Sequence, residues 1–174
     1  MMSAFLIPQL VQCAQDGAVN MAVTSLNTLK VAVTDHYAQF GSFPLGDNSF
    51  DLTLVREGFL ERPLSLLARP GKPTPVSHVR VMEALSQTTI VSATNAAFNF
   101  QGTLTNQAVG SIVVEVVISK VTRQDALELS LQIDGPGFTS PPGEADLRGR
   151  VKFGAIPADG LGEVHVYITH WAKR

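Results

Sequence analysis

The sequence predicts an α+β fold in which one long N-terminal α-helix packs on an antiparallel β-sheet. Three observations carry this. Apolar and small residues recur every three or four positions from about Phe5 to Phe40, β-branched runs with period-two alternation dominate the second half, and a proline-rich stretch separates the two.

With 174 residues, 45% hydrophobic and 16% charged, the chain can bury one sizeable core and is short for two. Thirteen basic residues against fifteen acidic ones give a net charge of -2, and no run of Lys or Arg forms the footprint that a phosphate backbone requires, so nucleic acid is not an expected partner. Cys13 is the only cysteine, which rules out an intrachain disulfide and any two-cysteine metal or redox motif. No uninterrupted apolar run reaches the roughly 18 to 20 residues of a transmembrane helix. As given, the chain reads as soluble.

Along the first segment, Leu6, Leu10, Ala14, Ala18, Met21, Leu26, Leu29, Val33, Tyr37 and Phe40 form one stripe of a long helix, with Asp16, Asn20, Asn27, Lys30, Thr34 and Asp35 on the other side. Gly41 and then Pro44 supply the stop. About 35 residues at 1.5 Å each make a rod of roughly 50 Å, against about 11 to 12 residues for the usual globular helix. Such a rod is expected to project beyond a small domain. The apolar stretch Met1 to Leu10 then needs burial against another copy, a membrane or a segment outside this chain.

Asp47 to Leu60 reads as a short helical turn, with Asn48 or Ser49 as N-cap, Gly58 as stop and Leu52, Val55 and Phe59 as its apolar side. Pro63, Pro70, Pro73 and Pro75 then mark a surface loop, because they fix φ and remove N–H donors. Phe98, Phe100, Gly102 and Leu104 alternate with polar neighbours as in a strand. Ser111 to Val121 is a nearly continuous apolar run, the mark of a central strand covered on both faces, one of them by the long helix. Arg150 to Ile156 and Glu163 to Trp171, flanking Ala158 to Leu161, form a terminal hairpin. Thr122 to Asp134 is open between two readings. Leu127, Leu129, Leu131 and Ile133 alternate as in a strand, yet Thr122 and Asp125 are spaced like a capping box and Asp134-Gly135 ends like a helix, which is the reading we take.

The run Thr28 to Pro44, closing with Tyr37-Ala38-Gln39-Phe40-Gly41-Ser42-Phe43-Pro44, resembles the end of the long helix in type IV pilins and type II secretion pseudopilins. There, an aromatic in the last turn precedes Gly-Ser-aromatic-Pro. Leu52, Val55, Gly58, Phe59, Leu60 and Pro63 are similar to the next element of that family, and Ala4 to Leu10 looks like the place where its members leave the membrane-buried half-helix through a proline. Downstream, Asp125-Ala126-Leu127, Ile133-Asp134-Gly135 and Gly149-Arg150-Val151 also resemble a pattern of the family's C-terminal half.

The resemblance implies a pilin-like fold with residues 1-44 as the assembly helix, its membrane half missing, and residues 45-174 as the globular region, one domain with the helix. It implies a structural filament subunit rather than an enzyme, with no cofactor, that assembles through Leu6, Leu10, Ala14, Ala18, Met21, Leu26, Leu29 and Val33. Its partners would be other copies or related pilins and the inner-membrane assembly machinery. The native full-length form would be anchored in the inner membrane before joining a periplasmic or extracellular filament at the cell surface. The Gly-Phe-Thr-Leu-Ile-Glu opening signal of the family is absent, and its C-terminal disulfide loop cannot form with Cys13 alone. A calcium site of the secretion branch would have to use Asp134, Glu144 and Asp146, a thin set for an ion that takes six to eight oxygens.

Common nucleophile, zinc, P-loop and dinucleotide signatures are missing. His165 and His170, five apart on the last strand, are expected on opposite faces, and Tyr167 and Trp171, four apart, on one face as packing. His36 sits near the helix end, where an imidazolium suits the dipole. Cys13, close to the apolar stripe, reads as a small hydrophobe in a helix contact. The alternative function is a cell-surface binding or adhesion module that uses the sheet region from Val76 to Trp171, with the helix as a stalk.

Overall fold

The computed structural model describes residues 6–69, 72–83, 91–100 and 111–172, with side chains of the first helix described from Gly17 onward. Helix α1 spans Leu6–Phe40, α2 Phe50–Arg56, β1 Val76–Glu83, β2 Ser111–Thr122, α3 Arg123–Asp134, β3 Val151–Phe153 and β4 Leu161–Ala172. The strands form one antiparallel sheet in the order β1-β2-β4-β3. The fold is therefore α+β, with the N-terminal helix laid on a four-stranded antiparallel sheet.

In α1, Ala18, Val19, Ala22, Leu26, Leu29, Ala32 and Val33 are buried on one stripe, and Thr24, Thr28 and Thr34 return their hydroxyls to the carbonyls four residues back. Gly41 ends the helix with φ 68, and its N–H donates to Tyr37 O at 2.8 Å. Met21 departs from the expected stripe, being 71% exposed. It precedes Ala22 by one residue, which turns it about 100° away from the line through Ala22, Leu26, Leu29 and Val33. Leu6, Leu10, Ala14 and Cys13 lie outside the described side chains.

Helix α2 is shorter than the expected span. Phe50 and Leu54 carry its buried face, while Leu52 is 53% exposed. The apolar side is thus shifted from the Leu52, Val55 and Phe59 set, because Phe50 seats on Phe43 with ring centroids 5.7 Å apart and sets the rotation of so short a helix. Ser49 stands at the N-cap without a side-chain cap bond. Asp47 instead accepts from Ser49 N–H at 2.8 Å.

The open segment is a helix, α3. Thr122 Oγ1 accepts from Asp125 N–H at 3.2 Å, and Gly135 N–H closes the far end on Leu131 O. Strand β2 is central and buried almost throughout, as its apolar run predicts, and β3 with β4 forms the terminal hairpin, β3 being cut to its three buried residues. Asn99 makes only an isolated bridge to Gly149, so the alternation around Phe98 and Phe100 is not part of a named strand, and its continuation to Leu104 lies outside the described residues.

Two bulges decide which residues share a face. In β4, Tyr167 pairs with Glu115 and Thr169 with Val114, which leaves Ile168 unpaired; in β2, Lys120 is the extra residue between Ser119 and Val121, with φ 62. One inserted residue inverts the alternation beyond it. His165 and His170 therefore oppose Val117 and Val113 on the same face, whereas Tyr167 and Trp171 oppose Glu115 and Ile112 on different faces, the reverse of both expectations. Trp171 joins Tyr37 and Phe43 on the α1 side, and Tyr167 meets Phe98 and Phe100 on the other.

Candidate functional site

The far face of the sheet carries a buried charged network. Arg80 on β1 lies opposite Glu115 on β2, and Lys152 on β3 lies opposite His165 on β4. The fully buried Glu115 carboxylate accepts from Arg80 Nε at 2.7 Å and is paired with Arg80 Nη2, while His165 Nδ1 stands 3.3 Å from its second oxygen. His165 Nε2 faces Glu163 at 2.9 Å. Two cations, Arg80 and Lys152, thus stand with two carboxylates, Glu115 and Glu163, around one imidazole. Burial pushes Glu163 up, yet the bonds from His165 and Ser119 and the charge of Arg80 outweigh it, and its carboxyl lies below the ordinary value.

The segment 91–100 covers this face and is tied to it by Lys152. Its ammonium donates to Ala97 O at 2.8 Å, to Asn95 Oδ1 at 3.2 Å and to Asn95 O, and lies 4.3 Å from the centre of the Phe98 ring. Burial lowers Lys152 to about 8; Glu115 pulls it back up and Arg80 presses it further down. Arg80 Nη2 adds a bond to Thr94 O at 3.1 Å, and Asn95 Oδ1 accepts from Ser92 and Ala97 N–H. The charged groups are thus engaged inside the protein. What the network does is clamp a second layer onto the sheet.

The three calcium candidates are not brought together; among the described residues no three His, Cys, Asp or Glu side chains gather to hold a metal. Asp134 instead accepts the N–H groups of Arg150 and Val151 at 2.9 and 2.8 Å, fastening the end of α3 to β3. Burial raises its carboxyl above the ordinary value despite those bonds. Buried Asp146 accepts from Ser130 Oγ at 2.8 Å and Ser140 N–H at 3.3 Å, and Glu144 is exposed.

His36 is not an exposed helix cap. It is buried among Phe40, Phe43, Phe50 and Phe59, with Nε2 3.0 Å from Glu57 Oε2, because α2 folds back over the end of α1. Of the expected assembly residues, Ala18, Leu26, Leu29 and Val33 lie in the domain's own core.

Compared with protein-family models, with curated proteins and with solved structures, the chain matches none. Its geometry must speak for its function.

The sequence reading missed Glu115 and Lys152, though a signal was present. Each charge interrupts an apolar run, Val113-Val114-Glu115-Val116-Val117 and Val151-Lys152-Phe153, and a charge held inside a strand covered on both faces must be paired.

Proposed function

We propose that the chain is the structural subunit of a filament of the type IV pilus or pseudopilus kind, assembling through α1. The observation that carries this reading is α1 itself, one helix of 35 residues and roughly 50 Å, about three times the usual length of a globular helix. Its side turned from the sheet exposes Met21 at 71% and Val31 at 60%, apolar surface that the helix of a neighbouring copy would cover.

The contact is heterologous, so it extends without closing. Among the described residues no helix is long and apolar enough to cross a membrane, and in this reading the native full-length form is membrane-anchored. Before assembly the subunit would sit in the inner membrane; afterwards its sheet domain would face outward from a periplasmic or cell-surface filament. A separate ATPase of the assembly machinery would supply the energy, and no chemistry is asked of this chain.

The test is made in cells that carry the native gene. The protein should appear in sheared surface or periplasmic filaments under immunogold electron microscopy. M21E and V31K should leave folding stability within about 0.5 kcal/mol, as surface substitutions do, yet abolish incorporation. A protein found in no filament, or variants that incorporate like the parent, would sink the proposal.

A second reading, a surface binding module with α1 as stalk, draws on an open concavity of about 280 Å³ lined by Phe100, Phe138 and Arg150 among others. Aromatic walls beside a guanidinium suit a sugar or a protein side chain, and a glycan array with F138A as control separates it from the first.

A further inference from the structure

We propose that the concavity between the α2–β1 loop and the junction of β2 with α3 binds a small phosphate-bearing ligand through Lys72, Lys120 and Arg123, beside an Arg69 held by Asp125. The cavity measures about 270 Å³ and is walled by Leu67, Pro73, Pro75, Ala158 and Leu161. Its four cations come from three separate parts of the chain: Arg69 and Lys72 from the loop, Lys120 from the bulge in β2, and Arg123 from the first residue of α3. That is why the sequence, which has no basic run, does not display the site.

One carboxylate shares the cavity. Asp125 takes both prongs of Arg69, Nη1 at 2.9 Å on one oxygen and Nη2 at 2.5 Å on the other, and the Thr122 hydroxyl at 2.9 Å. Among the described residues no ion pair joins Lys72, Lys120 or Arg123 to a carboxylate. Four cations against one carboxylate thus meet in a chain whose net charge is -2. A concave wall of one sign concentrates the field and draws in a counter-charge. The end of α3 is not the argument, since Thr122 already caps it.

Both non-glycine residues with left-handed backbone among the described residues, Leu67 at φ 58 and Lys120 at φ 62, line this one cavity. Lys120 is aimed by that geometry, because the extra residue in β2 is the one turned out of the ladder. The Arg123 fork and the two lysine ammonium groups together suit the three oxygens of a phosphate monoester better than a lone carboxylate. The volume limits the ligand to about the size of a sugar phosphate, since drug-sized ligands occupy roughly 300 to 1,000 Å³. A free phosphate monoester and the headgroup of phosphatidic acid share that chemistry, and the site does not depend on the filament reading.

The experiment is calorimetric titration of the whole chain at low salt with inorganic phosphate and glucose 6-phosphate, beside co-sedimentation with vesicles of phosphatidic acid in phosphatidylcholine or of phosphatidylcholine alone. Saturable binding of either soluble anion, weakened by added NaCl, is the expected result. Binding to the phosphatidic acid vesicles and to neither soluble anion, weakened in K120G and R123Q, assigns the same site to a headgroup.

K120G suits φ 62 and so keeps the fold. It should weaken binding about tenfold, the loss of one charge-assisted contact, and R123Q should do the same. K30Q, which removes an exposed charge on α1 outside the cavity, should bind like the parent. The inference is overturned if no arm shows binding with a Kd below about 10 mM, or if K120G and R123Q bind as the parent does.

Discussion

Glu115→Leu is the most informative perturbation of the fold. The carboxylate is fully buried on the central strand and receives Arg80 through two nitrogens, with His165 at its other oxygen. Deleting it leaves the Arg80 guanidinium, whose side chain is only 19% exposed, without its counter-ion. Removing one partner of a buried pair costs about 3 to 5 kcal/mol. For a chain of 174 residues that is a fall in Tm of roughly 6 to 20 °C. E115Q keeps the shape and one acceptor and should cost less, about 1 to 3 kcal/mol. The decisive variant is R80M/E115L, which removes both charges and should recover most of the loss, since paired burial of two ions is close to neutral against apolar groups of like volume. Urea unfolding followed by circular dichroism, with the slope checked for constancy, measures these three and the single variant R80M. If E115L costs less than about 1 kcal/mol, or if the double variant costs the sum of the single ones, Glu115 is not held by Arg80 in the way described.

Lys152 makes stability rise with pH on the alkaline side. Its folded-state value of about 8 lies below the ordinary 10.5, so the unfolded chain binds more protons between the two; burial of the charged form, costing about 3 kcal/mol at neutral pH, is relieved as pH rises through that window. Urea midpoints from pH 7 to 10.5 should climb in the parent and stay flatter in K152M, and equal slopes would refute the assignment. Gly149 has φ 81, and a Cβ there would stand 2.4 Å from the Asp134 carboxylate, so G149A should cost about 2 to 4 kcal/mol by thermal melting. A loss below about 0.5 kcal/mol would show that Asp134 moves aside freely. Leu29→Ala, at a fully buried position, should cost about 2 to 5 kcal/mol while Met21→Ala costs almost nothing, and equal losses would contradict the rotation of α1 described above.

The alkaline behaviour and the cost at Glu115 come from residues that sequence patterning passed over, and the reason is physical. Period and composition report how each residue meets water along its own element, which is why α1, the central β2 and the terminal hairpin were legible. The helix at 123–134 was legible too, once the Thr122 cap was weighed against the alternation of its leucines. Pattern carries no information about which distant residue stands opposite. Glu115 and Lys152 looked like interruptions of apolar runs until Arg80 and Asn95 were placed beside them.

The sequence by itself determined the α+β class, the long first helix with its Gly41 stop, and the apolar strand at the centre of the sheet, because these follow from local periodicity and from where glycine and proline are tolerated. Only the tertiary structure decided which face each side chain takes. The unpaired Ile168 turns Tyr167 away from Trp171 and brings His170 round to the side of His165, and the fold of α2 over the end of α1 buries His36 among aromatic rings. The four cations of the basic cavity are likewise joined only by the chain's path. A bulge is one inserted residue whose place is set by pairing across strands, and pairing is a property of the folded chain that no single segment carries.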